Sequence, residues 1–129
     1  MPQQMLYIVD DDEAIRDALS MLGSNLGLEA MAYGSAEDFL DAYDTSRPGP
    51  LILDLQMPGM GGLELQRELA VRGLHIPIIV VTAHVDGWEA ENAIAAGACA
   101  VLGKPFDIYL LIGHIQQAID QIGADGGLF

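Results

Sequence analysis

The chain has 129 residues, 51% of them apolar, with 19 acidic residues against 5 basic ones and a net charge of −14. That size and composition suit one domain with an ordinary core and argue against disorder. The acidic surface repels nucleic-acid phosphates, and the longest apolar run, Ile76 to Ala83 with Pro77 inside it, is too short to cross a bilayer.

Met5 to Val9 is a short apolar run that ends in acids and reads as a strand, with no basic and apolar leader before it. Ile15, Ala18, Leu19, Leu22 and Leu26 recur at helical spacing, and Gly27 stops that helix. Leu28 to Tyr33 is a weaker strand. Ser35, with Asp38 three residues on, reads as the N-cap of a short helix reaching about Tyr43. Leu51 to Leu53 is a buried strand. Met57-Pro58-Gly59-Met60-Gly61-Gly62 is too rich in Pro and Gly for regular structure, and Leu63 to Arg72 follows as a helix stopped near Gly73. Ile76 to Val81 is the clearest strand, β-branched and wholly apolar. Asp86 to Ala96 is an alanine-rich helix ended by Gly97, and Cys99 to Leu102 is a last short strand. Leu111, Ile115, Ala118, Ile119 and Ile122 line one face of the final helix. The chain divides into a domain over residues 1–122 and a glycine-rich tail over 123–129, expected to fray or to begin a linker.

The pattern is five strands, each followed by a helix. Continuous apolar strands suit a parallel sheet covered on both faces, a doubly wound α/β fold. Right-handed crossovers then put every strand's C-terminal end on one rim, where sites form. The residues arriving there are Asp10, Asp11, Asp12 and Glu13, then Asp54, then Thr82 and His84, then Lys104, the only lysine. Clustered carboxylates cannot all ionise cheaply without a cation. Magnesium takes oxygen ligands, often one or two carboxylates and a phosphate. A carboxylate so placed is a candidate nucleophile for phosphoryl transfer, with Thr82 and Lys104 as candidate partners of the phosphoryl oxygens.

The chain resembles the receiver domain of two-component response regulators over about residues 4 to 122. The matching pieces are Ile8-Val9-Asp10-Asp11-Asp12, the run from Leu53 through Asp54 to Gly62, Val81-Thr82-Ala83, and Ala96-Gly97-Ala98 leading to Lys104-Pro105-Phe106. The resemblance implies a five-stranded sheet in the order 2-1-3-4-5. It implies that Asp54 accepts a phosphoryl group from a histidine kinase. Asp11, Asp54 and the Gln56 backbone carbonyl would bind Mg2+, with Asp10 acting through water. Thr82 and Lys104 would contact the phosphoryl oxygens, and the Lys104–Pro105 bond would be cis. It further implies a cytoplasmic switch, not an enzyme in its own right, most often governing transcription. The partner would be a DNA-binding output domain beyond this segment, a separate protein, or a second copy on phosphorylation.

Other readings stand beside these. Asp10 and Asp11 also suit a helix N-cap, and Asp12 and Glu13 read as surface acids that complement the helix dipole. His84 either borders the site or is merely exposed. Trp88 and Tyr109 are equally readable as core-edge packing or as partner contacts. Cys99, the single cysteine, reads as a small buried hydrophobe in a reducing compartment. His75, His84 and His114 are too scattered for a zinc site. A magnesium phosphatase with an aspartyl nucleophile would carry a second Asp where Gln56 stands. A scaffold that no longer accepts phosphate would have lost one of the acids, Thr82 or Lys104. One departure from the family is Val101, where many receivers have an aromatic ring, so a different relay is expected around the Thr82 to Asp86 loop and Trp88.

Overall fold

The computed structural model describes residues 4–126. Five parallel strands form one sheet in the order β2-β1-β3-β4-β5. They are β1 (Met5–Val9), β2 (Glu29–Tyr33), β3 (Leu51–Leu53), β4 (Ile78–Thr82) and β5 (Ala100–Gly103). The helices are α1 (Glu13–Asn25), α2 (Ala36–Ala42), α3 (Gly62–Val71), α4 (Trp88–Ala95) and α5 (Ile108–Gly126). The sheet order is the one the resemblance implied.

Strand residues alternate between two cores. Tyr7, Val9, Leu51, Leu53 and Val80 meet Phe39, Leu65, Leu69 and Ala93, which come from α2, α3 and α4. Leu6, Ile8, Ile52, Ile79 and Val81 meet Leu19, Leu22, Leu111 and Ile115, which come from α1 and α5. Both faces are therefore dry, which is why these strands are apolar throughout instead of alternating. The register Val9↔Leu53 and Leu53↔Val80 puts the central strands' C-terminal ends side by side.

The local signals explain most boundaries. Gly27, Gly73 and Gly97 each follow a helix with positive φ, where an L side chain is strained. The Ser35 hydroxyl accepts from the Asp38 N–H at 3.1 Å. The Lys104–Pro105 peptide is cis.

Several expectations need correction. Asp12, not Asp10 or Asp11, caps α1, accepting from the Ala14 and Ile15 N–H groups. Ala18 is exposed, because the buried stripe of α1 runs through Leu19, Leu22 and Gly23. β4 begins at Ile78: Pro77 has no N–H to donate, although its carbonyl still accepts from Leu51 at 2.9 Å. α4 begins at Trp88, because Gly87 takes the extended cap conformation. Gly62 is already helical. Cys99 is exposed: its backbone N–H donates to the Ile78 carbonyl, but it lies outside β5, an edge strand. α5 runs past Ile122 to Gly126, and the rest of the expected tail, 127–129, lies outside the described residues, as do residues 1–3.

Candidate phosphoacceptor site

The rim residues come from adjacent strand ends. Asp10 follows β1 and its N–H donates to the Tyr33 carbonyl at 3.1 Å; Asp54 follows β3 and its N–H donates to the Val9 carbonyl at 3.0 Å. The sheet ladder thus continues one step past each strand and fixes both acids. Asp10 is 3% exposed and Asp54 6%. Arg16 reinforces this from α1, its guanidinium donating to the Asp10 carbonyl at 2.9 Å.

Asp10, Asp11 and Asp54 each present a carboxylate oxygen within 4.8 Å of the others. The Lys104 ammonium lies 2.8 Å from Asp10 Oδ2 and 3.7 Å from Asp54 Oδ2. Asp10 Oδ1 accepts from the Asp12 N–H at 2.9 Å, so both oxygens of Asp10 are engaged. Asp54 Oδ1 accepts from the Gln56 N–H at 3.2 Å. Asp11 is exposed and opens the cluster to solvent.

The electrostatics follow from burial. Burial pushes the Asp54 carboxyl up to about 6; the Asp10 and Asp11 carboxylates add to the rise, while the Gln56 N–H and the Lys104 ammonium oppose it. Burial works against the Lys104 ammonium too. Its hydrogen bond to Asp10 and the nearby charges of Asp54, Asp10 and Asp11 outweigh that, and its pKa rises.

Thr82 ends β4 and is 1% exposed. Its register partner is Gly103, and its carbonyl accepts from the Lys104 N–H at 2.8 Å, so the β4 and β5 ends present Thr82 and Lys104 together. Thr82 Oγ1 accepts from the His84 N–H at 3.2 Å. The His84 side chain is exposed, while its backbone borders the site through that bond. Trp88 and Tyr109, 67% and 82% exposed, are not core-edge packing. Val101 is partly buried against the α3–α4 side of the core.

Two contributors escape the sequence reading. Arg16 looks like any charged helix residue; only its reach to a carbonyl six residues back gives it meaning. Glu89, in the first turn of α4, accepts from Gln56 Nε2 at 3.1 Å, and nothing in the sequence between them, 33 positions apart, signals that pairing.

No helix of the described residues is long and apolar enough to cross a membrane. The response regulator receiver domain family matches residues 6–116. The chain is 37% identical over 127 residues to the transcriptional regulatory protein FixJ of Azorhizobium caulinodans, covering 98% of this chain and 60% of that protein. It is 44% identical over 117 residues to the response regulator protein TmoT of Ectopseudomonas mendocina, covering 91% of this chain and 53% of that protein. It therefore spans little more than half the length of these relatives. The crystal structure of FixJ-N superposes with a TM-score of 0.83 at 38% identity, covering 92% of this chain and 94% of that one. On the rim of acids, the sheet order and these likenesses, this chain belongs to the response regulator receiver domain family, a family of signalling switches.

Proposed function

We propose that Asp54 is the phosphoacceptor of this receiver, taking a phosphoryl group from the phosphohistidine of a sensor kinase. One observation carries the assignment. Of the clustered acids, Asp54 is buried yet free of a close ion pair, since Lys104 stands at 2.8 Å from Asp10 but 3.7 Å from Asp54. Its carboxylate is the nucleophile. An Asp54 oxygen bonds to phosphorus as the phosphorus–nitrogen bond breaks, and the freed imidazole takes a proton from solvent. Lys104, already between the acids, moves its charge toward the new phosphoryl oxygens, and Thr82 Oγ1 offers a hydroxyl to them.

The donor set is all oxygen and gathered within one ion's reach, which fits Mg2+. Asp11, Asp54 and the Gln56 carbonyl would hold it, with Asp10 reaching it through water because Lys104 and Asp12 already engage its oxygens. Bound there, Mg2+ supplies positive charge to the transferred group. Attack by water on phosphorus breaks the Asp54 oxygen–phosphorus bond and releases inorganic phosphate, returning Asp54 to its free carboxylate, so the domain loads and unloads itself.

The output is transcription, through a DNA-binding domain beyond this segment or a separate partner. The readout face is α4, β5 and α5, where Trp88, Ile94, Tyr109 and Leu110 are exposed, and a second copy docking there on phosphorylation is the dimeric form of the same output. The single exposed cysteine and the absence of a spanning helix among the described residues suit a switch working in the cytoplasm.

The test is intact mass after incubation with Mg2+ and acetyl phosphate. One phosphoryl adduct is expected on the parent and none on Asp54→Asn. An equal adduct on the variant would move the acceptor elsewhere.

A further inference from the structure

Helix α4 is held unevenly along its length. Its second turn is pinned by a bond from outside the helix: Ala93 is buried, and Gln66 Nε2 of α3 donates to the Ala93 carbonyl at 3.1 Å. Its first turn buries Ala90 but is held less firmly by hydrogen bonds. Gly87 caps it without a side-chain bond, and the backbone bonds there are long, 3.3 Å from the Gly87 N–H to His84 and 3.4 Å from the Glu91 N–H to Gly87. The side-chain link at that turn, among the described residues, is the bond from Gln56 Nε2 to Glu89 Oε1. Gln56 also touches the acceptor, since its backbone N–H donates to Asp54 Oδ1. One residue therefore grips both the carboxylate of the site and the loose end of α4.

We propose that Glu89 is a positioning residue, and that the Gln56–Glu89 pair couples charge at Asp54 to the placement of the first turn of α4. This rests on Asp54 being the phosphoacceptor. The pair is an exposed bond between a neutral amide and a carboxylate, which a change in local charge can tip. A phosphoryl group on Asp54 adds negative charge beside Gln56. It competes for the Gln56 amide donors and repels the Glu89 carboxylate. With the pair opened, the first turn is released while Ala93 stays pinned, so α4 pivots about its second turn. This supplies a relay that does not run through an aromatic ring at Val101.

Coupling is reciprocal, so breaking the pair must move α4 toward its phosphorylated placement without any phosphoryl group. Trp88 is the only tryptophan and adjoins Glu89, so its indole N–H resonance reports the first turn. The isotope-labelled chain is compared with Glu89→Ala, Gln56→Ala and Glu89→Gln, before and after Mg2+ and acetyl phosphate. Intact mass in the same samples counts the adduct. In the parent the resonance moves when the adduct forms. In unmodified Glu89→Ala and Gln56→Ala it already lies most of the way to that position, and the adduct on Glu89→Ala moves it little further. Glu89→Gln keeps an acceptor oxygen without the charge. Unmodified, its resonance stays at the parent position, and its response to the adduct is reduced. A full parent-like shift in Glu89→Ala overturns the proposal, as does an unmoved resonance in a fully modified parent. No adduct on the parent overturns the acceptor assignment itself, a result that the mass reads independently of Trp88.

Discussion

Lys104 Nζ stands 2.8 Å from Asp10 Oδ2, a pair formed across 94 positions of sequence. Each partner keeps the other from being an uncompensated charge on a nearly dry rim. The pair also leaves Asp54 with the weaker share of the ammonium, at 3.7 Å.

Lys104→Met removes the compensating charge and keeps the bulk. Without metal, Asp10 and Asp54 then repel each other inside the fold. We expect a loss of roughly 3 kcal/mol in urea denaturation with a chelator present, the range for breaking a buried pair. The same variant binds Mg2+ more tightly than the parent, because the cation competing for the acids is gone. Titrating the denaturation midpoint with Mg2+ checks both statements, since the ion should return much of the lost stability.

Asp54 makes stability fall as pH rises, over a defined window. Its pKa in the fold is about 6 against 3.8 unperturbed, raised chiefly by burial. A raised carboxyl contributes stability that is complete below the unfolded value and lost as pH climbs through the folded one. Without metal, the difference in unfolding free energy between Asp54→Asn and the parent should therefore grow in favour of the variant from pH 4 to pH 6. It should then level off, having changed by about 3 kcal/mol at most. Paired denaturation curves at four or five pH values measure it; a flat difference would mean that Asp54 is not held in a dry site.

Gly62 is demanded by closeness. A Cβ there would lie 2.7 Å from the Asp54 carbonyl and 2.8 Å from Leu55 Cα, both backbone atoms that cannot step aside. Gly62→Ala should destabilise by roughly 1–3 kcal/mol, as overpacking does. It should also slow adduct formation by displacing Asp54. Gly61→Ala, whose Cβ would meet only the Leu55 carbonyl at 3.3 Å, is the milder control in the same mass and melting assays.

What the sequence disclosed and what it hid divide by distance along the chain. Gly27, Gly73 and Gly97 mark helix ends because their conformational need is local, and Ser35 declares a cap within three residues. The rim was legible because a parallel sheet carries every strand end to one edge, so Asp10, Asp54, Thr82 and Lys104 needed only the alternation of strands and helices. Cys99 was misread because apolar composition does not say at which residue a short edge strand begins, and β5 begins one residue later at Ala100. Asp12 took the cap expected of its neighbours, since three consecutive acids give no sign of which one the helix start will use. Glu89 was invisible because its partner is set by how the loop after β3 meets α4 in space.

Phe39 is the clearest case of a core residue that periodicity underrates, because it lies in a helix of one or two turns. It is wholly buried, and its ring packs edge-on against Tyr7 and Tyr33 with centroids at 5.6 and 5.7 Å, and tilted against Tyr43 at 5.3 Å. Tyr7 is tied in turn to the loop before β3, its hydroxyl donating to the Arg47 carbonyl. Truncating the ring opens a cavity that β1, β2 and α2 all face. Phe39→Ala should lose about 3–5 kcal/mol. Because α2 lies away from the Lys104 side of the rim, the fraction that remains folded should still take one phosphoryl adduct. Denaturation and intact mass on one preparation separate the two effects: a folded variant without adduct would show that the aromatic cluster reaches Asp54.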